Sequence, residues 1–445
     1  MLSSENKTFL KNFAHLTPPI ILQESLSALV NISSTIMIGR AMGLTQVTAV
    51  GISNQIFMAY ALGIAGIVSG CSVFIGQYYG KGDKESIFKI MGIGFAFIMP
   101  VAAFIVGMAV FAPQIVLGIF TREPEIIEQG SQFIRIASIS YLLFAVIFLR
   151  NGAMRAMRQT RIPMITSSVA LLLVLIFNYI FIFLLNAPLY IIAMGTVMAR
   201  CIELLLQEFF IRKYHIPIRT SLAKYFNFTF EDVKKFFRIS FFIFLNMLSR
   251  SLAISGYMVA YGFMDATSQG AIQISTAILQ LFQIFGASIG ISSGIIMANT
   301  LGSGNRELAI KYSRKCLVFG VSLSAFMGIL LILISPVIIS FYQVDAVTAG
   351  YIRNILLVTG TGMILRTINF TNIGGILRNG GDVKFCFIIV FSGVVFIGLP
   401  LAFAGVLLWN LPIYLVVALI YMEEVFKAVM GLRRVFSNKW ANTLV

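Results

Sequence analysis

The chain has 445 residues, of which 58% are hydrophobic and only 11% are charged, and its mean hydropathy is +0.92. These values exclude a soluble domain, because so few charges could not cover so much apolar surface. The formal net charge of +16 would suit nucleic acid binding, but the cations alternate from loop to loop along the chain, so no nucleic acid partner is expected.

Twelve membrane spans are predicted, since stretches of about 20 apolar residues, enough to cross a hydrocarbon core of about 30 Å, recur throughout the chain. In chain order the predicted spans cover residues 15–38, 47–71, 90–119, 127–150, 162–185, 188–211, 236–262, 270–297, 311–341, 348–371, 384–407 and 411–434. The first span lacks the cleavage site of a signal peptide and is interpreted as retained. The sequence therefore predicts an all-α polytopic protein embedded in a lipid bilayer.

The loops between the spans alternate in charge. Loops on one side contain most of the Lys and Arg residues, including Lys81, Arg155 and Lys224. The opposite loops contain only Arg40 and Arg122 as cations, beside several acids. Because positively charged loops stay in the cytoplasm, both termini are expected there, and the expected location is the plasma (inner) membrane of a bacterium.

Two short motifs are repeated about half a chain length apart. The stretch "YGKGDKE" (79–85) matches "LGSGNRE" (301–307), and Gly80 pairs with Gly302. Arg155 and Arg378 match in a second pair of loops, at nearly the same separation along the chain. These matches predict an internal duplication.

The duplication predicts two lobes, residues 1–225 and 226–445, joined through the hydrophilic stretch 212–238. Each half contains six predicted spans, an even number, so the second half enters the membrane from the same side as the first. The two six-helix repeats are therefore expected to be parallel, related by an axis along the membrane normal.

Several segments together resemble the multidrug and toxic compound extrusion (MATE) family. They are "IMIGRAMG" (36–43), "SNQIF" (53–57), "SGCSVFIGQYYGKGD" (69–83), "TVMARCIE" (196–203) and "RRVFSNKW" (433–440). The resemblance covers nearly the whole chain. It implies two six-helix lobes that form a V around a central cleft, and export of amphipathic, often cationic compounds driven by inward H⁺ or Na⁺.

The chain departs from the family pattern at positions that concern ion coupling. The first helix of the family usually contains an Asp where this chain has Ser34, and many relatives have an acid in the seventh helix where this chain has Met247. A degenerate member of the family that transports without coupling is therefore an alternative.

Polar residues inside the predicted spans are the candidate substrate- or ion-binding residues, because ionisable groups in a bilayer are costly. The candidates are Glu24, Ser34, Gln55, Asn178, Thr196 and Arg250. Glu24 and Arg250 lie near the middle of the first and seventh spans, and a pair between them across the cleft is predicted. The alternatives are that Glu24 is a packed acid within its own lobe and that the uncharged residues only join helices. Arg200 and Glu203 are expected to pair along one helix.

The function predicted from the sequence is secondary active export of small molecules by alternating access, with no cofactor other than a coupling ion, H⁺ or Na⁺. A flippase for a lipid-linked or anionic precursor is the alternative, favoured by the cation at Arg250. No acid pair, nucleophile or His/Cys cluster suggests catalysis or a metal, so no enzyme activity and no metal site are expected. A monomer is expected.

The charge asymmetry predicts a topology that labelling can test. With the four native cysteines replaced, single cysteines introduced beside Glu123 and Asp265 should react in intact cells with a membrane-impermeant maleimide. Cysteines beside Lys81 and Lys224 should react only after the cells are permeabilised, which controls for reactivity. Labelling beside Lys224 in intact cells would overturn the topology.

Overall fold

A computed structural model of the protein describes residues 4–445, apart from the side chains of Ser4, Leu44 and Leu222. Residues in the first half form α1 Ser4–Met42, α2 Leu44–Lys81, α3 Lys84–Phe111, α4 Pro113–Gly118, α5 Pro124–Ala137, α6 Ile139–Ala156, α7 Arg161–Tyr179 and α8 Leu189–Lys213. Residues in the second half form α9 Leu222–Tyr225, α10 Phe230–Tyr261, α11 Ala266–Gly302, α12 Arg306–Ser340, α13 Ala346–Asn369, α14 Val383–Gly393, α15 Leu399–Phe403 and α16 Ile413–Phe436. Four π-helical stretches extend some of these helices, at Ile180–Leu184, Phe370–Leu377, Val394–Gly398 and Ala404–Leu408.

The described part of the chain forms an all-helical membrane protein, as predicted. Ten of its helical segments are long and apolar enough to cross a membrane. Helix α13 and helix α16, which match the tenth and twelfth predicted spans, are not among the ten, although each has 24 residues. The middle of helix α16 contains three charged residues, Glu423, Glu424 and Lys427, besides Arg433 and Arg434 in its last turn. A helix with three charges in a membrane-crossing position indicates a polar interior nearby.

The chain divides into two compact units. The amino-terminal unit is Pro18–Ser240, and the carboxy-terminal unit is Met1–Thr17 together with Phe241–Val445. The first boundary falls inside α1, beside Pro18 and Pro19, where two backbone N–H donors are missing. The two six-helix lobes predicted from the sequence, 1–225 and 226–445, stay a prediction.

The beginning of α1 packs within the carboxy-terminal unit. The Phe13 ring lies 4.5 Å from the Phe319 ring of α12, centroid to centroid. The hydroxyl of Thr17 donates a hydrogen bond to Ser292 Oγ on α11, at 2.9 Å. Because aromatic burial and a buried hydroxyl pair both favour this position, the first turns of the chain belong to the unit formed by the second repeat.

The repeated loop forms the same structure in both units. Gly82 and Gly304 have φ angles of 83° and 79°, in the left-handed region that glycine occupies without steric cost. The next residue then caps the following helix: Asp83 accepts a hydrogen bond from the Ser86 N–H at 3.0 Å, and Asn305 accepts one from Leu308 N–H at 3.0 Å. The motif is therefore repeated because each unit needs this tight turn.

The ionisation of Asp83 follows from its role as a cap. Burial opposes ionisation of the carboxyl group, but hydrogen bonds from Ser86 and the charge of Lys81 outweigh that effect. The pKa of Asp83 consequently lies below its ordinary value. The carboxylate stays charged at neutral pH, which favours its position at the positive end of α3.

A second repeated turn was not predicted from the sequence. The π-helical stretches Ile180–Leu184 and Ala404–Leu408 are followed by Asn186 and Asn410, which have φ angles of 47° and 46°. The two asparagines occupy equivalent positions in the repeats, and each is followed two residues later by proline. Equal backbone geometry at equivalent positions supports the duplication directly.

The two asparagines yield a matched pair of substitutions. Both side chains are exposed, so packing contributes little, while a left-handed backbone disfavours residues other than glycine and asparagine. We expect Asn186→Ala and Asn410→Ala each to lower the free energy of unfolding by about 1 kcal/mol. Asn186→Gly and Asn410→Gly should leave it nearly unchanged. Thermal unfolding of the purified protein in detergent measures the difference, and equal stability of the Ala and Gly variants would contradict the assignment.

Candidate functional site

A cavity of about 330 Å³ lies inside the carboxy-terminal unit. Its walls come from α10, α11, α13 with its π-helical extension, α14 and α16. The charged and hydrogen-bonding side chains that line it include Asn246, Arg250, Tyr257, Thr276, Gln280, Gln283, Arg366, Asn369, Arg378, Tyr421, Glu423, Glu424 and Lys427. Apolar side chains such as Ile254, Phe370 and Val390 complete the walls. The cavity therefore offers both charge and apolar surface to a small molecule.

Lys427 is at the centre of an ionic cluster on α16. Its ammonium group lies 2.7 Å from Glu423 Oε1 and 2.9 Å from Glu424 Oε1, one helical turn away. The hydroxyl of Tyr257 on α10 donates a hydrogen bond to Glu423 Oε2. A side chain at Gly398 would have its Cβ 2.5 Å from the same Glu423 oxygen, so glycine provides the space for this contact.

Glu424 is held by a second set of partners. Asn369 Nδ2 donates to Glu424 Oε2 at 2.6 Å, and Arg366 Nε lies 3.9 Å from Glu424 Oε1. The Arg366 guanidinium group also lies 5.3 Å from the centre of the Tyr421 ring, a distance favourable for a cation–π contact. Together these contacts give every oxygen of the two glutamates a donor.

Arg250 and Arg378 line the same cavity without a carboxylate partner. Arg250 lies over the Phe370 ring at 5.0 Å, and no residue in 4–445 accepts a hydrogen bond from its guanidinium group in the structure. The Nε atom of Arg378 is buried and has no hydrogen-bond partner among the described residues. The cavity therefore contains four cationic side chains and two carboxylates.

The amino-terminal unit shows how the equivalent arginine is neutralised. Arg155, which corresponds to Arg378, donates to Glu24 Oε1 at 3.1 Å and to Gln23 Oε1 at 2.7 Å. At the same separation along the chain, the position that corresponds to Glu24 is Met247. The second repeat therefore retains the arginine and lacks its carboxylate.

The predicted pair of Arg200 and Glu203 is confirmed in the amino-terminal unit. Arg200 Nη1 lies 2.6 Å from Glu203 Oε2, and the hydroxyl of Ser167 donates to Glu203 Oε1 at 2.6 Å. The equivalent positions in the second repeat are Glu424 and Lys427, which also pair but with the charges exchanged. In both units, therefore, charged residues on the last helix of the repeat, α8 or α16, pair with each other.

The six candidate residues have different surroundings. Asn178 Nδ2 donates to Ser34 Oγ at 3.1 Å, and Asn178 Oδ1 is buried without a described partner. Gln55 is exposed and Thr196 is half-buried. Of the six, only Arg250 lines the described cavity of the carboxy-terminal unit. Glu24 pairs with Arg155 within its own unit. Binding roles for the six, and the pair of Glu24 with Arg250, stay predictions.

Several residues of the cavity were missed in the sequence. Glu423, Glu424 and Lys427 lie in "YMEEVFKAV" (421–429), inside the twelfth predicted span, and three charges in an apolar span were a sufficient signal. Arg378 and Arg155 were counted as loop cations, because the sequence alone places them at span ends. Their inward orientation depends on tertiary packing.

A bundle of membrane-crossing helices with a charged cavity among them is characteristic of a membrane transporter. The sequence profile of the MatE family matches residues 19–180 and 238–404, one match in each repeat. The chain belongs to this family, which confirms the resemblance found in the sequence.

Individual relatives are distant. The chain is 24% identical over 407 residues to the uncharacterized transporter YisQ of Bacillus subtilis, covering 89% of this chain and 87% of the relative. It is 22% identical to the probable multidrug resistance protein NorM of Halalkalibacterium halodurans, covering 90% and 87%. A solved structure of a MOP superfamily transporter from Pyrococcus furiosus, described as having a binding pocket of reverse polarity, superposes with a TM-score of 0.84 at 16% identity and covers 96% of each chain.

Removing Lys427, the cation of the ionic cluster on α16, is expected to lower the free energy of unfolding substantially. Lys427→Met would leave Glu423 and Glu424 buried with much less compensation, and breaking a buried ion pair in this way costs about 3 kcal/mol. Unfolding with sodium dodecyl sulfate should show a decrease of that order in the free energy of unfolding.

Lys311→Met is the matched control. Lys311 is 62% exposed and lies 3.9 Å from Glu5, so its loss should change the free energy of unfolding by no more than about 0.5 kcal/mol. Equal effects of the two substitutions would show that the cluster on α16 is not buried in the folded protein.

Proposed function

We propose that this protein is a secondary active exporter of amphipathic organic compounds, located in the plasma membrane of a bacterium with both termini in the cytoplasm. The cavity of the carboxy-terminal unit is the observation that carries the proposal. It lies among membrane-crossing helices, and its volume of about 330 Å³ is in the range of small-molecule sites. The relative from Halalkalibacterium halodurans, a probable multidrug resistance protein, supports the same function.

Glu423 and Glu424 are the proposed binding groups for the coupling ion, H⁺ or Na⁺. Ser34 and Met247 provide no carboxylate at the positions where the family resemblance implies one, whereas these two glutamates lie in the cavity. A proton on Glu423 would remove the charge that Lys427 contacts at 2.7 Å. An ion shifts the equilibrium between two conformations of a transporter only if it binds them with different affinity. If the contact of Lys427 with Glu423 is made in one conformation and broken in the other, the affinity of Glu423 for the ion differs between them.

A flippase for a lipid-linked or anionic precursor is the second candidate. It is favoured by the two cations of the cavity that have no carboxylate, Arg250 and Arg378. The transporter of Pyrococcus furiosus with a pocket of reverse polarity supports a departure from cation transport within the same fold. Alternating access by a monomer, with no cofactor, would serve either function.

Transport into proteoliposomes tests the proposal. Vesicles with the cytoplasmic face outside should accumulate a labelled amphipathic compound when their interior is made acidic or rich in Na⁺. Accumulation should stop when an ionophore collapses the gradient. Glu423→Gln should reduce gradient-driven accumulation at least about tenfold, because the group that changes charge would be lost.

Exchange of labelled for unlabelled compound without a gradient is the control for folding. Glu423→Gln should retain this exchange, since binding and the conformational change do not need the gradient. Accumulation that is independent of both gradients in the unmodified protein would contradict secondary active export and favour an uncoupled member of the family.

A further inference from the structure

We propose that Arg250 and Arg378 form an anion site, and that the transported compounds are amphipathic molecules with a carboxylate or phosphate head. This inference rests on the proposed export function and specifies its substrate class. The two guanidinium groups line one cavity and have like charges that repel. Arg250 lies 5.0 Å from the centre of the Phe370 ring, and Nη2 of Arg378 lies 4.0 Å from the place of a Cβ on Gly374, one helical turn after Phe370. A bound oxyanion between them would remove this repulsion and satisfy their N–H donors.

Neither acid of the cavity forms an ion pair with these arginines, although Glu424 and Glu423 attract Arg250 from beyond ion-pair distance. Glu423 accepts from Lys427 and Tyr257, and Glu424 accepts from Lys427 and Asn369. Each of the four carboxylate oxygens already has a donor, and two positive charges remain. Since uncompensated charges are costly inside a membrane protein, a ligand of opposite charge is the expected partner.

The repeat explains the origin of the excess charge. In the amino-terminal unit Arg155 donates to Glu24 at 3.1 Å. In the carboxy-terminal unit the equivalent arginine, Arg378, is retained, while Met247 replaces the acid. Arg378 therefore has no internal carboxylate, and the carboxylate of a ligand in the cavity that it lines can be its partner. The Nε atom of Arg378 is buried without a described partner, as is the Nε atom of Arg155. The two repeats differ in whether a carboxylate contacts the arginine, and only Arg155 has one.

The apolar walls of the cavity suit the remainder of such a molecule. Phe370 lies under the Arg250 guanidinium group at 5.0 Å, and Ile373, Val390 and Val394 line the same space. An aromatic or aliphatic body can pack on these side chains while its anionic head contacts the arginines. A compound with an ammonium head would instead meet two unpaired cations.

Equilibrium binding of two probes with the same fluorophore tests the proposal. Dansylglycine has a carboxylate head, and its counterpart, dansyl ethylenediamine, has an ammonium head. Fluorescence titration of the purified full chain in a nonionic detergent should show binding of dansylglycine, and affinity at least about tenfold weaker for the amine. Equal or tighter binding of the amine would overturn the anion site.

Three substitutions define the residues involved. Arg250→Met and Arg378→Met should each weaken dansylglycine binding about tenfold or more, because each removes charge-assisted hydrogen bonds. Arg353→Met is the matched control: Arg353 is exposed, does not line the cavity, and belongs to the same unit. Unchanged affinity in both cavity variants would overturn the proposal.

Met247→Glu is the most specific test, since it restores the carboxylate that the first repeat has. It should abolish dansylglycine binding and leave the thermal stability equal or higher, because Arg378 would regain an internal partner. Met247→Gln has nearly the same shape without the charge and should bind dansylglycine. Retained binding in the Glu variant would contradict the proposal.

Competition distinguishes a lipid headgroup from a soluble anion as the source of the oxyanion. If lysophosphatidate displaces dansylglycine and inorganic phosphate does not, the site binds a lipid headgroup. If benzoate, a soluble aromatic carboxylate, displaces dansylglycine, the site binds a free solute. Displacement by none of them would overturn the site. If the protein binds dansylglycine but accumulates no compound under a gradient, the export function is contradicted and the anion site is not. If it accumulates the amine under a gradient but does not bind dansylglycine, the anion site is contradicted and the export function is not.

Discussion

The polar interior of this protein depends on one constraint, that a charge among membrane-crossing helices needs a counter-charge. The amino-terminal unit satisfies it with internal pairs that include Glu24 with Arg155 and Arg200 with Glu203. The carboxy-terminal unit satisfies it for Lys427 and its two glutamates. Arg250 and Arg378 are exceptions: Arg250 is exposed and lines the cavity, and the Nε atom of Arg378 is buried there. Because charges without a counter-charge are costly among membrane-crossing helices, we infer that these two arginines serve ligand binding.

Duplication makes such an exception possible. The backbone of the two repeats is preserved at the turns, where Gly82 corresponds to Gly304 and Asn186 to Asn410 with nearly equal φ angles. The interior side chains have changed more freely, since Glu24 corresponds to Met247. One unit can retain a neutral interior while the other acquires a charged cavity on the same helical framework.

Much of the fold could be predicted from the sequence, because hydropathy and loop charge are local properties. The spans follow from hydropathy, whereas the repeat and the family follow from short motifs that can be read along the chain. The partners of Arg155 and Arg378 could not be predicted, since position along a helix gives depth and not the direction of a side chain. The π-helical stretch Phe370–Leu377 also shifts the helical phase just before Arg378, and the sequence does not reveal such a shift.

The most direct measurement is the location of a bromine-labelled anion in crystals of the protein. Crystals soaked with 4-bromobenzoate should show an anomalous bromine peak inside the cavity, with the carboxylate between the guanidinium groups of Arg250 and Arg378. Crystals of the Met247→Glu variant should show none. A bromine peak only outside the cavity in the unmodified protein, or an unchanged peak in the variant, would contradict the account.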